Sequence, residues 1–330
     1  MKIALIRKSN QTTPAWISPE LDAAGFEFVD RACENPEEVV AIADDADIVW
    51  DMGGVETITA DILPELRRCG ALIRGGSGTD NLPVSAATEL GIIVANTPDA
   101  TAIPVAEHTI GLMLALTRRI PMHESAVRRG AWDPANPLPE ILHGKTVGLV
   151  GFGRIARAVA ERLKPFGTKR IAYDPMAEEL MAKFDVAPRD LPPLLGESDI
   201  VSVHTPLLPT TRHLIGSQEL EKMKPTSILI NTSRGPVVDT QSLVQALSNG
   251  SIAAAGLDVL EHEPPQNDPL IGLPNVVVTP HSAGYHSLLL EDFCRLAVDA
   301  IIDLSQRKWP ISYVNPEVNP RWDMPPKESP

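Results

Sequence analysis

Short apolar runs alternate with amphipathic stretches along the first hundred residues. KIALI (2–6), FEFVD (26–30), DIVWDM (47–52), ALIRG (71–75) and GIIVAN (91–96) are rich in β-branched or aromatic residues, and each block is too short for a helix. Bounded by polar segments such as NPEEVVAIADDA (35–46), they predict strands alternating with helices. That rhythm implies a doubly wound α/β domain with a mainly parallel sheet. A second series opens at Lys145 with TVGLVGFG and continues through RIAYD (170–174), DIVSVHTP (199–206), SILINTSRG (227–235), IAAAGLDV (252–259) and VVVTPH (276–281). These runs are almost wholly apolar, the pattern of strands covered on both faces.

Between the two series the spacing predicts a long helix, roughly 102–119, with Val105, Ile110, Leu112, Met113, Leu114 and Leu116 around most of its circumference. A helix without a polar face is buried on more than one side, so it is expected to touch both its own domain and a second subunit. The following segment, Met122 to Leu142, holds Trp132 and prolines at 134, 137 and 139, with Pro121 just before it; it predicts an irregular arm. A helix is expected at about 286–307. The last sixteen residues contain five prolines and few apolar anchors, and predict a loosely ordered tail.

Composition narrows the function classes. A chain of 330 residues suits two domains rather than one. Its 43 acidic against 29 basic residues give a net charge of −14, which argues against nucleic acid or an anionic membrane as partner. Cys33, Cys69 and Cys294 are scattered without a paired spacing, so a reduced, cytoplasmic compartment is expected. The N-terminus MKIALIRKSN is interrupted by Lys2, Arg7 and Lys8 too early for a secretory signal, and IGLMLAL (110–116) is too short to span a bilayer.

The strongest chemical signal is GLVGFGRIARAVAERL (148–163), a glycine-rich turn between a strand and a helix. Gly151 suits the tight turn, and Gly153 lets the backbone approach a pyrophosphate seated on the helix N-terminus. The third fingerprint position is Ala156. Asp174 ends the next strand, where a carboxylate can accept hydrogen bonds from an adenosine ribose and repel a 2′-phosphate. NAD(H) is therefore expected over NADP(H); the competing reading makes Asp174 a turn former before Pro175. Three later strand ends bring Arg234, Glu263 and His281 to one sheet edge. A guanidinium grips a carboxylate bidentately, and an imidazole can protonate a carbonyl oxygen as hydride reaches its carbon. A carboxylate beside that imidazole would orient it and favour its cation. In LEHEPP (260–265) neighbouring side chains point to opposite sides. Glu263 is thus expected to face the site, His262 to be a bystander and Glu261 to be solvated charge. His108 reads as a satisfied core or interface residue, and no histidine–carboxylate spacing suggests a metal.

The chain resembles the D-isomer-specific 2-hydroxyacid dehydrogenases, of the phosphoglycerate and glycerate dehydrogenase kind. The resemblance is carried by GGSGTDNLPVSAATELGIIVANTP (75–98), VAEHTIGLMLALTRR (105–119), the glycine fingerprint, NTSRGPVVD (231–239), GLDVLEHEPP (256–265) and VVVTPHSAG (276–284). It implies a Rossmann NAD-binding domain, about 100–285, inserted into a flavodoxin-like substrate domain built from 1–99 and 286–330, with a dimerisation helix and arm over about 102–142. It implies Arg234, Glu263 and His281 as catalytic residues. It implies Gly75, Gly76, Ser77 and Gly78 as the loop whose amides take a substrate carboxylate. Cofactor contacts carry over to Gly151, Gly153, Arg154 and Ile155 at the pyrophosphate, Asp174 at the ribose, His204, Thr205 and Pro206 along the cofactor, and Thr232, Ser233, Arg234, Asp258 and His281 near the nicotinamide.

The reaction so implied is reversible NADH-dependent reduction of a small 2-oxo acid to a D-2-hydroxy acid by a homodimer. Two rival readings stand beside it. One is an NAD(H)-sensing binding protein like the C-terminal-binding-protein corepressors, although the tryptophan of that branch is Gly284 here. The other is an allied dehydrogenase of another small anion, such as formate or phosphite.

Overall fold

The computed structural model describes residues 1–54, 56–133 and 138–327. The chain divides into two compact units, one of Met1–Thr101 with His286–Pro330 and one of Ala102–Tyr285.

The first unit is built on five parallel strands: β1 (Lys2–Arg7), β2 (Glu27–Ala32), β3 (Ile48–Asp51), β4 (Ala71–Arg74) and β5 (Ile93–Asn96). Their order is β2-β1-β3-β4-β5. Side chains alternate across the sheet. Ile3, Leu5, Trp50, Ile73 and Ile93 therefore pack on one face against Cys294, Ala297, Val298 and Ile301 of the helix Leu289–Ser305. Ala4, Ile6, Val49, Leu72 and Val94 pack on the other against Val39 and Ala43. In β1, β3, β4 and β5 both registers are apolar because both faces are covered, whereas the edge strand β2 keeps Glu27, Asp30 and Arg31 and has no fully buried residue.

The tail departs from the expectation of loose order. β5 is an edge strand, and an edge presents unpaired donors and acceptors. The tail satisfies them: Val314 N donates to Val94 O (2.9 Å) and Val94 N donates to the Asn315 Oδ1 (2.9 Å). Further on, the Arg321 guanidinium donates to the carbonyls of Leu66 (3.2 Å), Cys69 (2.9 Å) and Leu90. The Trp322 ring lies so close to Gly70 that a Cβ there would stand 2.0 Å from Cε2. Prolines deny the segment a helix but not these contacts.

The second unit carries seven parallel strands: β6 (Thr146–Val150), β7 (Lys169–Tyr173), β8 (Ala187–Pro188), β9 (Ile200–Val203), β10 (Ile228–Asn231), β11 (Ala254–Leu257) and β12 (Val276–Val278). Their order, β12-β11-β10-β9-β6-β7-β8, is that of a doubly wound dinucleotide-binding sheet extended by one strand. The two-residue β8, exposed at the edge, has no apolar run to announce it. The helix Asp99–Thr117 is long and apolar enough to cross a membrane by length and composition alone. Its residues Ala106, Ile110, Leu112 and Met113 instead join the buried core with Val147, Leu149 and Ile230. The expected irregular arm begins as a helix, Ile120–Arg128, with Pro121 in its first turn, where proline is tolerated. Pro134 and Pro137 lie outside the described residues.

Packing of the tail predicts that Trp322→Ala destabilises the protein by roughly 2 kcal/mol, below the cost for a fully buried tryptophan. Urea unfolding followed by fluorescence measures this, and an unchanged midpoint would mean that the tail does not bear on the sheet.

Candidate active site

Parallel strands align their C-terminal ends, so the residues just after β6, β7, β9, β10, β11 and β12 line one edge of the second unit's sheet. After β6 the chain turns through Gly151 with φ +92°, a left-handed conformation open to glycine. A Cβ there would meet His204 C and O at 2.9 Å, so the turn also needs glycine for space. Gly153 caps the ten-residue helix Arg154–Leu163, and a Cβ on it would meet nothing within 4 Å. The space above this helix N-terminus is open, as a pyrophosphate seat requires. Asp174, just past β7, accepts Phe152 N through Oδ2 (2.8 Å) and Met176 N through Oδ1 (2.9 Å). Those bonds fix the carboxylate beside the glycine turn and leave each oxygen a further lone pair for a ribose hydroxyl. Asp174 is thus both turn former and candidate ribose acceptor. Burial pushes the His204 imidazole down to about 3, and its Nε2 lies 2.9 Å from Ser202 Oγ; it is a neutral spacer at the end of β9.

Asp258, directly after β11, is 2 % exposed and organises the loop beyond β12. Its carboxylate accepts the Thr279 hydroxyl (2.5 Å) and the amides of Ser282 and Ala283 (2.9 Å each), while its carbonyl accepts His281 N (2.8 Å). Thr279 has one hydroxyl proton, given to Asp258. The His108 Nε2 at 3.0 Å must therefore donate to Thr279, which fixes the His108 tautomer. His108, expected to be a satisfied core or interface residue, is satisfied by the network under the loop Thr279–Ala283. No spacing in the sequence joins residues 171 apart. The Asp258 carboxylate serves this scaffold. Thr232 and Ser233 are likewise engaged: the Thr232 hydroxyl meets Thr109 Oγ1 (2.9 Å), and Ser233 gives both its hydroxyl (2.9 Å) and its amide (3.0 Å) to Asn231 Oδ1, which leaves the two hydroxyl oxygens as acceptors.

His281 itself has φ +51°, a left-handed backbone rare for a side-chain-bearing residue and one that the loop bonds must hold. Its Nδ1 lies 2.6 Å from Glu263 Oε2, and Glu263 Oε1 accepts Leu260 N (2.9 Å). With Nδ1–H committed to Glu263, Nε2 is the atom that can exchange a proton with a ligand. The hydrogen bond to Glu263 raises the His281 pKa against the opposing pull of burial and of the Arg234 charge. Burial drives the Glu263 pKa up, but the bonds from His281 and the Leu260 amide outweigh it and hold the carboxyl below its ordinary range. Arg234 lies on the loop after β10, its backbone carbonyl held by Asn231 Nδ2 (3.0 Å). The structure thus brings Arg234, Glu263 and His281 onto neighbouring strand ends of a single unit.

The glycine loop belongs to the other unit, after β4. Gly75 N donates to Asp51 O (2.8 Å) and Gly76 N to Thr97 Oγ1 (2.7 Å), so the amides available for an anion narrow to those of Ser77 and Gly78. Glu261, expected to be solvated charge, is instead paired: its Oε1 is 2.5 Å from His213 Nε2. His262 is exposed, as a bystander should be.

A family model described as "D-isomer specific 2-hydroxyacid dehydrogenase, NAD binding domain" matches residues 110–283. The chain is 43 % identical over 273 residues to a glyoxylate reductase of Thermofilum pendens, covering 80 % of each chain. It is 42 % identical over 247 residues to a D-3-phosphoglycerate dehydrogenase of Methanocaldococcus jannaschii, covering 74 % of this chain but only 47 % of that protein. It therefore spans about half the length of that relative. Among solved structures, a glyoxylate reductase from Paecilomyes thermophila superposes with a TM-score of 0.85 at 27 % identity, covering 96 % of this chain and 99 % of that one. An acyclic imino acid reductase in complex with NADPH and D-Arg gives a TM-score of 0.86 at 30 % identity, covering 95 % and 100 %.

Because the pairing raises the His281 pKa, its contribution to stability is full below the ordinary histidine value of about 6.5 and fades as pH rises through the raised one. Replacing Glu263 by Gln removes the charge, and the His281 titration followed by imidazole NMR should move down towards that ordinary value. A titration that stays where it is would rule out Glu263 as the group that sets it.

Proposed function

The chain belongs to the D-isomer-specific 2-hydroxyacid dehydrogenase family, and on that premise we propose that it interconverts a small 2-oxo acid and a D-2-hydroxy acid with NAD(H). The observation that carries the proposal is the His281–Glu263 pair, 2.6 Å apart on the same sheet edge as Arg234 and the glycine turn. Bound at that turn, the cofactor supplies or takes up the hydride. For reduction, His281 stands as the cation and donates its Nε2 proton to the carbonyl oxygen; for oxidation, the neutral ring takes the hydroxyl proton back. Glu263 keeps the ring oriented and its cation favoured. The Arg234 guanidinium holds the carboxylate of the acid and polarises its carbonyl. In the other unit, Ser77 and Gly78 offer amides for the same kind of anion.

Relatives named glyoxylate reductase and hydroxypyruvate reductase support a short 2-oxo acid as substrate. The preference for NAD(H) rests on Asp174, followed by Pro175 and Met176 with no cation to meet a 2′-phosphate. The proposal includes a homodimer formed through the helix Asp99–Thr117 and the segment after it. Ile103, Ile120, Val127, Trp132, Leu138 and Ile141 are all exposed large apolar residues there, more than a solvated surface favours. A reducing cytoplasmic compartment fits the three cysteines, all free and buried.

NADH oxidation against glyoxylate, hydroxypyruvate, pyruvate, phenylpyruvate and phosphohydroxypyruvate tests the reading. His281→Asn should lower kcat by about 10²- to 10⁴-fold on whichever acid is reduced. Parent behaviour in that variant, or no reduction of any acid, would sink it. Arg234→Lys should raise KM for the acid by at least about tenfold, since the bidentate grip is lost. Asp174→Ala should raise the NADPH-to-NADH ratio of kcat/KM by about tenfold or more; an unmoved ratio would detach the cofactor preference from this carboxylate.

A further inference from the structure

Arg234 and Glu263 sit on different loops, and the reaction proposed above needs them at a fixed spacing. The loops touch directly. A Cβ on Gly235 would stand 1.9 Å from Leu260 O and 2.5 Å from Glu261 N, so the residue after Arg234 lies against the peptide that leads to Glu263. Backbone contact alone prevents closer approach but not sliding. Glu261 supplies the missing restraint. Its Oε1 is 2.5 Å from His213 Nε2, and its Oε2 accepts the amide of Thr240, the first residue of the helix Thr240–Ser248, at 3.4 Å. His213 in turn donates its own amide to Pro236 O (2.8 Å), and its Nδ1 faces Asp239 Oδ2 at 3.4 Å. Asp239 is held by its other oxygen, which accepts Ser242 N at 2.7 Å. A closed ring results: Arg234, Gly235 and Pro236 lead to His213, from His213 to Glu261, and from Glu261 through Leu260 to Glu263, whose Oε1 accepts Leu260 N.

We propose that Glu261 and His213 form a clamp that sets the spacing of the Arg234 loop and the Glu263 loop, making both of them positioning residues for the reaction. The proposal rests on the dehydrogenase reading. The side-chain pairing gives it substance beyond charge on a surface: Glu261 is mostly covered, and every polar contact it makes goes to the segment 213–240 that surrounds the Arg234 loop. Without the clamp the Gly235–Leu260 contact remains, but the segment that carries Arg234 can slide against the one that carries Glu263 and, through its carboxylate, His281. Displacements of about 1 Å in such a constellation cost up to about 100-fold in rate.

The test compares the parent with Glu261→Ala, Glu261→Gln and His213→Ala, each read by kcat and KM on the best 2-oxo acid, by NADH affinity and by the NMR titration of His281. Glu261→Ala should lose about 10- to 100-fold in kcat/KM with NADH affinity and melting temperature near the parent's. Its His281 titration should rise, since the groups facing that ring are Glu263, Arg234 and Asp258, and the Arg234 charge, which opposes protonation, is the one freed to move away. Glu261→Gln keeps an acceptor for the Thr240 amide and a partner for His213, and should recover most of the loss. In a Glu263→Gln background the Glu261→Ala change should add little, because residues that act through one another are not additive. A folded Glu261→Ala with parent kcat/KM and parent titration overturns the clamp, as does a full additive loss in the Glu263→Gln background. Should Glu261→Ala not fold, His213→Ala carries the same expectation in smaller measure, and parent behaviour there overturns it. If the parent reduces no 2-oxo acid, the functional reading is what fails, and the His281 titrations still decide the clamp.

Discussion

A carboxylate taken out of water has to collect donors, and the demands of Asp258 shape everything around it. An uncompensated buried charge costs several kcal/mol, and each hydrogen bond to a charged group returns about 1.5–3 kcal/mol. Asp258 gathers a hydroxyl and two amides from the five-residue stretch Thr279–Ala283, and its own carbonyl takes a third amide. Satisfying one side chain therefore folds the whole loop after β12 over the end of β11. His281 is carried into a left-handed conformation that it would not adopt unaided. The cost of that backbone, about 1–3 kcal/mol, is within what the bonds to Asp258 supply.

The rest of the chemistry follows from where that loop ends. With the His281 backbone held, its ring meets Glu263 through Nδ1 at 2.6 Å. Glu263 is in turn tethered through the Leu260 amide to the end of β11, the strand that also delivers Asp258. One strand thus provides both the residue that positions the imidazole and the residue that charges it. His108 and Thr279 extend the network into the helix Asp99–Thr117, so the loop that carries His281 is coupled to the long core helix through the His108–Thr279 and Thr279–Asp258 hydrogen bonds.

The features legible in the sequence are those set by local periodicity and residue chemistry. All eleven apolar runs form strands, most of them because a strand covered on both faces has to be apolar throughout. The positive-φ turn at Gly151 and the carboxylate closing β7 are visible for the same reason, because the residue type itself is the constraint. Other features, the helix Ile120–Arg128 at the start of the expected arm among them, are not legible locally. The order of the tail is invisible locally, because its prolines say nothing of the bare β5 edge that the segment covers. The edge strand β8 carries too little apolar surface to register. Glu261 reads as solvated charge until His213, forty-eight residues away, is brought beside it.

The sequence by itself therefore determined the two α/β layers, the strand ends on which Arg234, Glu263 and His281 fall, and the glycine turn that fits a dinucleotide, all properties of residue type and short-range spacing. Only the tertiary structure decided which of the remaining polar side chains work together. Asp258 with Thr279 and His108, and Glu261 with His213, are pairings between segments far apart in the chain. The energy of each comes from burying the groups side by side, and burial is a property that no stretch of sequence possesses alone.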